Sequence, residues 1–255
     1  VNQVIETLLS RKSVRAYEKR AIEPDVRAAI LKATLRAPTA GNMMLYSIIE
    51  VADQRLKDRL VKTCDNQPFI ARAPMVWLFL ADYQRWQDYF HHSHVEKLEQ
   101  PTRTPEEGDL FIACCDALIA AQNAVIAAES FGVGSCYIGD IMENYEAHKE
   151  MFSLPQYVFP ICLLAFGYPT RQQKEREMTS RFDEKFILFE NGYRRLGSVE
   201  FDEMFAERER QMPGGKAMDG IDNFGQAMYR RKFSSDFSIE MNRSVRKWLK
   251  GWGRS

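Results

Sequence analysis

Between Asp109 and Phe131 the chain carries its longest apolar stretch, rich in Ala, Leu and Ile and followed directly by Gly132. Glycine suits the end of a helix, because it takes the left-handed conformation there without steric cost. The composition predicts a single helix over 109–131, which at about 1.5 Å per residue runs roughly 34 Å, the width of a domain. Apolar nearly all round, such a helix lies at the centre of a fold or in a contact between subunits. A membrane span needs about 20 apolar residues with few breaks, and this region is interrupted by Asp116, Gln122 and Asn123. The N-terminal VNQVIETLLSRKSVR is too polar for a signal peptide. The five cysteines, Cys64, Cys114, Cys115, Cys136 and Cys162, include no C-x-x-C pair, and most sit in apolar runs. They read as reduced, largely buried thiols. The expectation is a soluble, cytoplasmic protein with no membrane part.

Around this helix the pattern alternates without regular βαβ spacing. Helices are expected over 2–10, 24–36, 53–63 and 142–152, the second opened by Pro24. Strands are expected over 46–52, over the nearly continuous apolar run MVWLFLA at 75–81, near 135–139, and over VFPICLLAFG at 158–167. Residues 97–109 read as a charged loop. This order favours an α+β fold with one mixed sheet over a doubly wound parallel one. The segment 197–255 differs in composition, with a loop over 211–220 and an amphipathic helix over 236–250. The division expected is a core of 1–196 and a C-terminal arm of 197–255, docked on its own core or on a partner subunit.

Lys plus Arg and Asp plus Glu are both 35, so the net charge is zero. That balance argues against wholesale binding of nucleic acid or an anionic membrane, which needs a basic surface. The zero is uneven, however: residues 1–40 carry +4, residues 224–255 carry +6, and the middle carries −10.

Several local constellations could carry chemistry. In Arg11-Lys12-Ser13-Val14-Arg15 an extended chain would put Arg11, Ser13 and Arg15 on one face and Val14 on the other, as a phosphate clamp. The pentapeptide alone is read as readily as the basic end of a helix. Ala37-Pro38-Thr39-Ala40-Gly41-Asn42 is small enough for a flat ligand to approach its backbone, or is an ordinary helix-to-strand turn. Gly132-Val133-Gly134-Ser135-Cys136-Tyr137-Ile138-Gly139 fails the dinucleotide fingerprint in spacing, and runs from helix to strand where that motif runs from strand to helix. Gly214-Gly215-Lys216 is no Walker loop. His91, His92 and His94 lack the partners of a known metal motif and read as a solvated helix, with His148 isolated. No G-x-S-x-G occurs, and Cys114-Cys115 reads as structural.

Taken in order, RKSVRAY (11–17), RAPTAGNMMLYSI (36–48), AAQNAVIAAESFGVGSCYIGDI (120–141) and FGYP (166–169) resemble the FMN-dependent nitroreductase family. Within it, ENGY at 190–193 and the basic C-terminal helix are similar to the oxygen-insensitive NADPH nitroreductase and flavin reductase subgroup. The resemblance implies a central mixed sheet flanked by helices, an extended C-terminal arm and an intertwined homodimer with FMN at its interface. It implies that Arg11, Lys12, Ser13 and Arg15, with Lys174 and Arg176, serve the FMN phosphate and ribityl chain. Gln67 would contact the pyrimidine and ribityl region, and Tyr137, Ile138 and Gly139 would line the ring. Thr39, Ala40, Gly41, Asn42 and Met44 would come from the other subunit. Met44 stands where the family often has Gln, the loop is T-A-G-N where the subgroup is Ser-rich, and Asp140 replaces a common glycine beside the ring.

The activity so implied is hydride transfer from NADPH or NADH to nitroaromatic, quinone or flavin acceptors, in a ping-pong cycle whose chemistry the flavin supplies. No side chain is expected as a general acid and no metal is expected. Arg230, Arg231 and Arg243 are candidates for the NADPH phosphate, or else a solvated surface cluster. The alternative from another class is an FMN-binding redox sensor or storage protein with little turnover.

Overall fold

The computed structural model describes residues 2–212 and 220–253, so Gly214-Gly215-Lys216 and most of the expected 211–220 loop lie outside the described residues. The chain forms two compact units, Val1–Arg176 with Glu240–Ser255, and Glu177–Ile239. The first runs α1 (Gln3–Ser10), α2 (Pro24–Thr34), β1 (Tyr46–Glu50), α3 (Gln54–Thr63), α4 (Phe69–Arg72), β2 (Met75–Asp82), α5 (Gln84–His92), α6 (Glu107–Ser130), β3 (Gly134–Ile138), α7 (Tyr145–Met151), β4 (Val158–Gly167) and α8 (Arg171–Glu175).

The sheet has the order β1-β2-β4-β3. Every neighbouring pair is antiparallel, with Leu78 opposite Leu163 and Tyr137 opposite Leu164. The expected mixed sheet is therefore antiparallel across its four strands, and its parallel element is a lone bridge between Ser13 and Ser135. The central strands β2 and β4 read as unbroken apolar runs because both their faces are covered. Val76, Leu78 and Leu80 face one core layer, shared with α3 and α4, and Met75, Trp77 and Phe79 face the other. At Phe79/Leu80 the register slips past Ile161, next to Pro160, where proline has no N–H for the ladder.

The second layer is built by α6. Ala117, Ala120, Ala121, Ala124 and Ala128 are fully buried on one side of it. Small side chains bring the helix axis close to the sheet, so the bulky residues are left on the far side, where Phe111, Ile112, Leu118 and Ile119 are exposed. By length and apolar composition α6 could cross a membrane, yet this alanine face is core. Its N-terminus is a capping box, in which the Glu106 N–H donates to Asp109 Oδ2 at 2.9 Å. Its C-terminus closes as the glycine predicts: Gly132 has φ +71, its N–H donates to Glu129 O and the Val133 N–H to Ala128 O.

Residues 11–18 lie against β3 and β4 over a pair of glycines. Gly134 and Gly167 stand opposite each other, and a Cβ on Gly134 would meet Val14 Cγ2 at 2.5 Å, one on Gly167 Tyr17 Cδ1 at 2.6 Å. The Val14 N–H donates to Ser135 O at 2.8 Å. Val14 is buried while Arg11, Ser13 and Arg15 are not, as the period-two pattern requires.

The last helix, α11, is longer than the expected 236–250, running Asp236–Trp252 after α9 (Ser198–Arg210) and α10 (Phe224–Met228). From Glu240 onward it belongs to the first unit. The Trp248 ring lies 4.5 Å from Tyr145 and 5.6 Å from Phe159, and Trp252 lies 5.7 Å from Tyr157. These large apolar rings place the end of the chain with the core, so the units divide at 176/177 and 239/240 where composition suggested 196/197. Within Glu177–Ile239, Phe205 packs edge-to-face with Phe182 at 5.1 Å and lies 6.1 Å from Phe224, with Arg208 over Phe182 at 4.0 Å.

Gly134→Ala is expected to destabilise the protein by about 2 kcal/mol through overpacking, read as a lower urea midpoint. Adding Val14→Ala to it should cost less than the sum of the two single changes, because the second removes the atoms the first collides with.

Candidate flavin site

The loop after α2 is held by a carboxylate from the middle of α6. Asp116, 3% exposed, accepts from the Thr39 hydroxyl, from the Ala40 N–H at 3.0 Å and from the Leu45 N–H at 3.1 Å. The Met44 N–H donates in turn to Thr39 Oγ1 at 2.8 Å. Three of the residues so clamped are left-handed, Gly41 at φ +56, Asn42 at +57 and Met44 at +50. For Met44 that conformation costs about 1–2 kcal/mol, offset by the hydrogen bonds on either side of it. Trp86 braces the same loop, donating from Nε1 to Met43 O at 2.8 Å. Sequence reading took Asp116 for a mere break in an apolar helix; a carboxylate alone among alanines was the available signal.

The Arg11–Arg15 strand meets the segment after β4. Arg176 donates to Ser13 O at 2.6 Å, Gln173 Oε1 accepts from the Arg15 N–H at 3.1 Å, and Lys12 Nζ donates to the carbonyls of Lys174, at 2.7 Å, and of Arg176. Lys12 thus ties two backbones together, and Lys174 pairs with Glu18 at 3.1 Å. Arg15 lies 6.0 Å from the Phe69 ring centroid. Among the described residues, Arg11 Nη1 and Ser135 Oγ are buried without hydrogen-bond partners, and neither Arg11 nor Arg15 forms an ion pair. Glu129 on α6 also has a buried, unpartnered Oε1. Burial pushes its carboxyl up to about 7 against the opposing pull of Arg11.

Beside this strand, β3 ends in Tyr137-Ile138-Gly139. Tyr137 donates from its hydroxyl to Gln122 Oε1 at 3.2 Å, and burial raises its pKa. The Ile138 side chain is in the core, 1% exposed, so what this residue can offer a ligand is backbone. Gln67 donates from Nε2 to Cys64 O at 3.0 Å and to Asp140 Oδ2 at 3.1 Å, a contact between two segments that sequence reading treated separately.

Of the C-terminal cations, Arg243 is held by Glu146 at 2.8 Å and by Glu240 at 2.7 Å. Both carboxyls are pulled down to about 2 by its guanidinium. Arg230 and Arg231 lie in the other unit, in the π-turn Tyr229–Phe233. His91 and His92 are exposed at the end of α5, and His94 pairs with Glu96 at 3.1 Å. Among the described residues no group of His, Cys, Asp or Glu could hold a metal ion.

A sequence model of the nitroreductase family matches residues 8–168, which hold the four strands, α6 and the paired glycines. The chain belongs to the nitroreductase family. It is 31% identical to an FMN reductase (NADPH) of Bacillus subtilis, over 76% of this chain and 75% of that one. It is 29% identical to an oxygen-insensitive NADPH nitroreductase of Salmonella typhimurium, over 81% and 82%. Its fold is similar to that of the NfrA1 nitroreductase of B. subtilis, with a TM-score of 0.79 at 25% identity, over 97% of this chain and 98% of that one.

Asp116→Ala is expected to cost about 3 kcal/mol, since it removes a buried charged acceptor and orphans two amides and a hydroxyl. Urea denaturation reads that loss. Native-state hydrogen exchange should show the Ala40 and Leu45 amides opening faster than those of β2.

Proposed function

We propose that this nitroreductase-family chain is an FMN-dependent NAD(P)H oxidoreductase that acts as a homodimer. The observation that carries the reading is the buried, unpartnered donor Arg11 Nη1 on a strand rich in cations. A buried donor without an acceptor costs free energy, and a phosphate monoester supplies that acceptor. The residues present thus fit FMN. Arg11, Ser13, Arg15, Lys174 and Arg176 serve its phosphate and ribityl chain, and Lys12 holds their backbones in place. Gln67 and the Tyr137-Ile138-Gly139 backbone serve the ring. Thr39, Ala40, Gly41, Asn42 and Met44 reach the ring of the other protomer, on a loop that Asp116 keeps rigid.

The dimer reading rests on the apolar residues left uncovered: Phe111, Ile112, Leu118 and Ile119 on α6, with Val4, Leu8 and Leu9 on α1. A lone chain rarely exposes that much contiguous apolar surface.

Bound FMN supplies hydride transfer from NAD(P)H to an acceptor. The chain's own residues bind and orient. One open face serves nucleotide and acceptor in turn, which makes the kinetics ping-pong and admits nitroaromatics, quinones and free flavins.

Steady-state rates with NADPH and a quinone should give parallel double-reciprocal lines. FMN that binds but is never bleached by NADPH would favour the redox-sensor reading, and intersecting lines would exclude ping-pong order. Arg11→Ala should weaken FMN binding at least tenfold, on the order of one charge-assisted hydrogen bond. It should leave the weaker binding of riboflavin, which lacks the phosphate, nearly unchanged in a fluorescence titration.

A further inference from the structure

The flavin site proposed above combines cations, Arg11, Lys12, Arg15, Lys174 and Arg176, with a carboxylate. Asp140 opens the short helical turn Asp140–Met142 directly after β3, next to Gly139. Asp140 forms no ion pair among the described residues; its partner is the neutral Gln67 amide at 3.1 Å. Both amide hydrogens of Gln67 are spent, one on Cys64 O and one on Asp140 Oδ2. What remains of that side chain for a ligand is Oε1, an acceptor. Asp140 therefore contributes a full negative charge and also orients a carbonyl dipole of the same sign.

Glu143, 5% exposed, has an Oε1 that is buried without a partner. Burial and then the Asp140, Asp65 and Glu240 carboxylates push its carboxyl up to about 8, so it adds little negative charge of its own near neutral pH. Burial pushes the Cys136 thiol up, Arg15 and Arg11 pull it down, and Asp140 adds a smaller push upward. A hydride equivalent carries two electrons and one proton, so accepting one adds a unit of negative charge to a ring system. A fixed carboxylate nearby opposes that gain, and does so more strongly where water is scarce.

We propose that Asp140 tunes the reduction potential of the bound flavin: its carboxylate, next to Gly139 and set against the Gln67 amide, adds negative charge to the site and holds the potential below what the same site has without the charge. The inference rests on the FMN reading of the site. Its consequence is specificity, because a lower potential leaves more driving force for passing hydride to poorly oxidising acceptors and less for taking it from NAD(P)H.

The test is anaerobic equilibration of the FMN-loaded protein with a reference dye, for wild type and Asp140→Asn. Asparagine keeps the size and an oxygen for Gln67, and removes the charge. The variant's flavin should be reduced at least tenfold more favourably against the dye, which is about 30 mV for a two-electron couple. An unchanged or lower potential overturns the proposal. Asp140→Ser is measured beside it. If both variants lose FMN, Asp140 belongs to the binding framework and the proposal falls. A wild-type chain that takes up no FMN would sink the functional reading itself, a result visible before any variant is made.

Discussion

The close approach of the α6 alanine face to the sheet is the contact from which the rest of the molecule follows. Five fully buried alanines let the helix lie near Trp77, Phe79, Leu164 and Phe166. That proximity brings Asp116 within reach of the Thr39–Leu45 loop. It also sets the exit of the helix at Gly132, so that β3 begins two residues later and meets the basic strand at Ser135. Both candidate halves of a flavin site, the loop and the strand, are thus positioned by one helix. The bulky residues that cannot face the sheet form the apolar outer face on which the proposed dimer depends.

What could be read from the sequence was what is written locally. The 109–131 helix, its glycine stop and the two buried strands follow from composition and periodicity, and the alternation in Arg11–Arg15 followed from one buried valine. Strand direction was not legible, since the apolar runs of β2 and β4 look alike in parallel and antiparallel sheets when both faces are covered. Pairings between distant segments were not legible either. Nothing near Lys12 announces the carbonyls of Lys174 and Arg176, and nothing near Arg243 announces Glu146. The packing of Trp248 on Tyr145 and Phe159 and of Trp252 on Tyr157 was not legible, because it acts at long sequence separation.

Net charge is a poor guide here and local pairing a better one. The positive excess in the first 40 residues is partly consumed, with Arg20 on Glu23 and Arg27 on Glu50, both exposed pairs of small energetic weight. Arg11 and Arg15 form no ion pair among the described residues, on the strand that meets β3 at Ser135. With Asp140 added, a neutral protein has a strongly polar candidate site, which is what a ligand with an anionic phosphate and a redox-active ring requires of its surroundings.

The most direct measurement is a crystal structure of the FMN-loaded protein. The account requires the phosphate oxygens to lie within hydrogen-bond distance of the Arg11 guanidinium beside β3, with the Thr39–Met44 loop of the other protomer against the ring. A phosphate bound elsewhere, with Arg11 turned onto the Glu129 carboxylate, would contradict it.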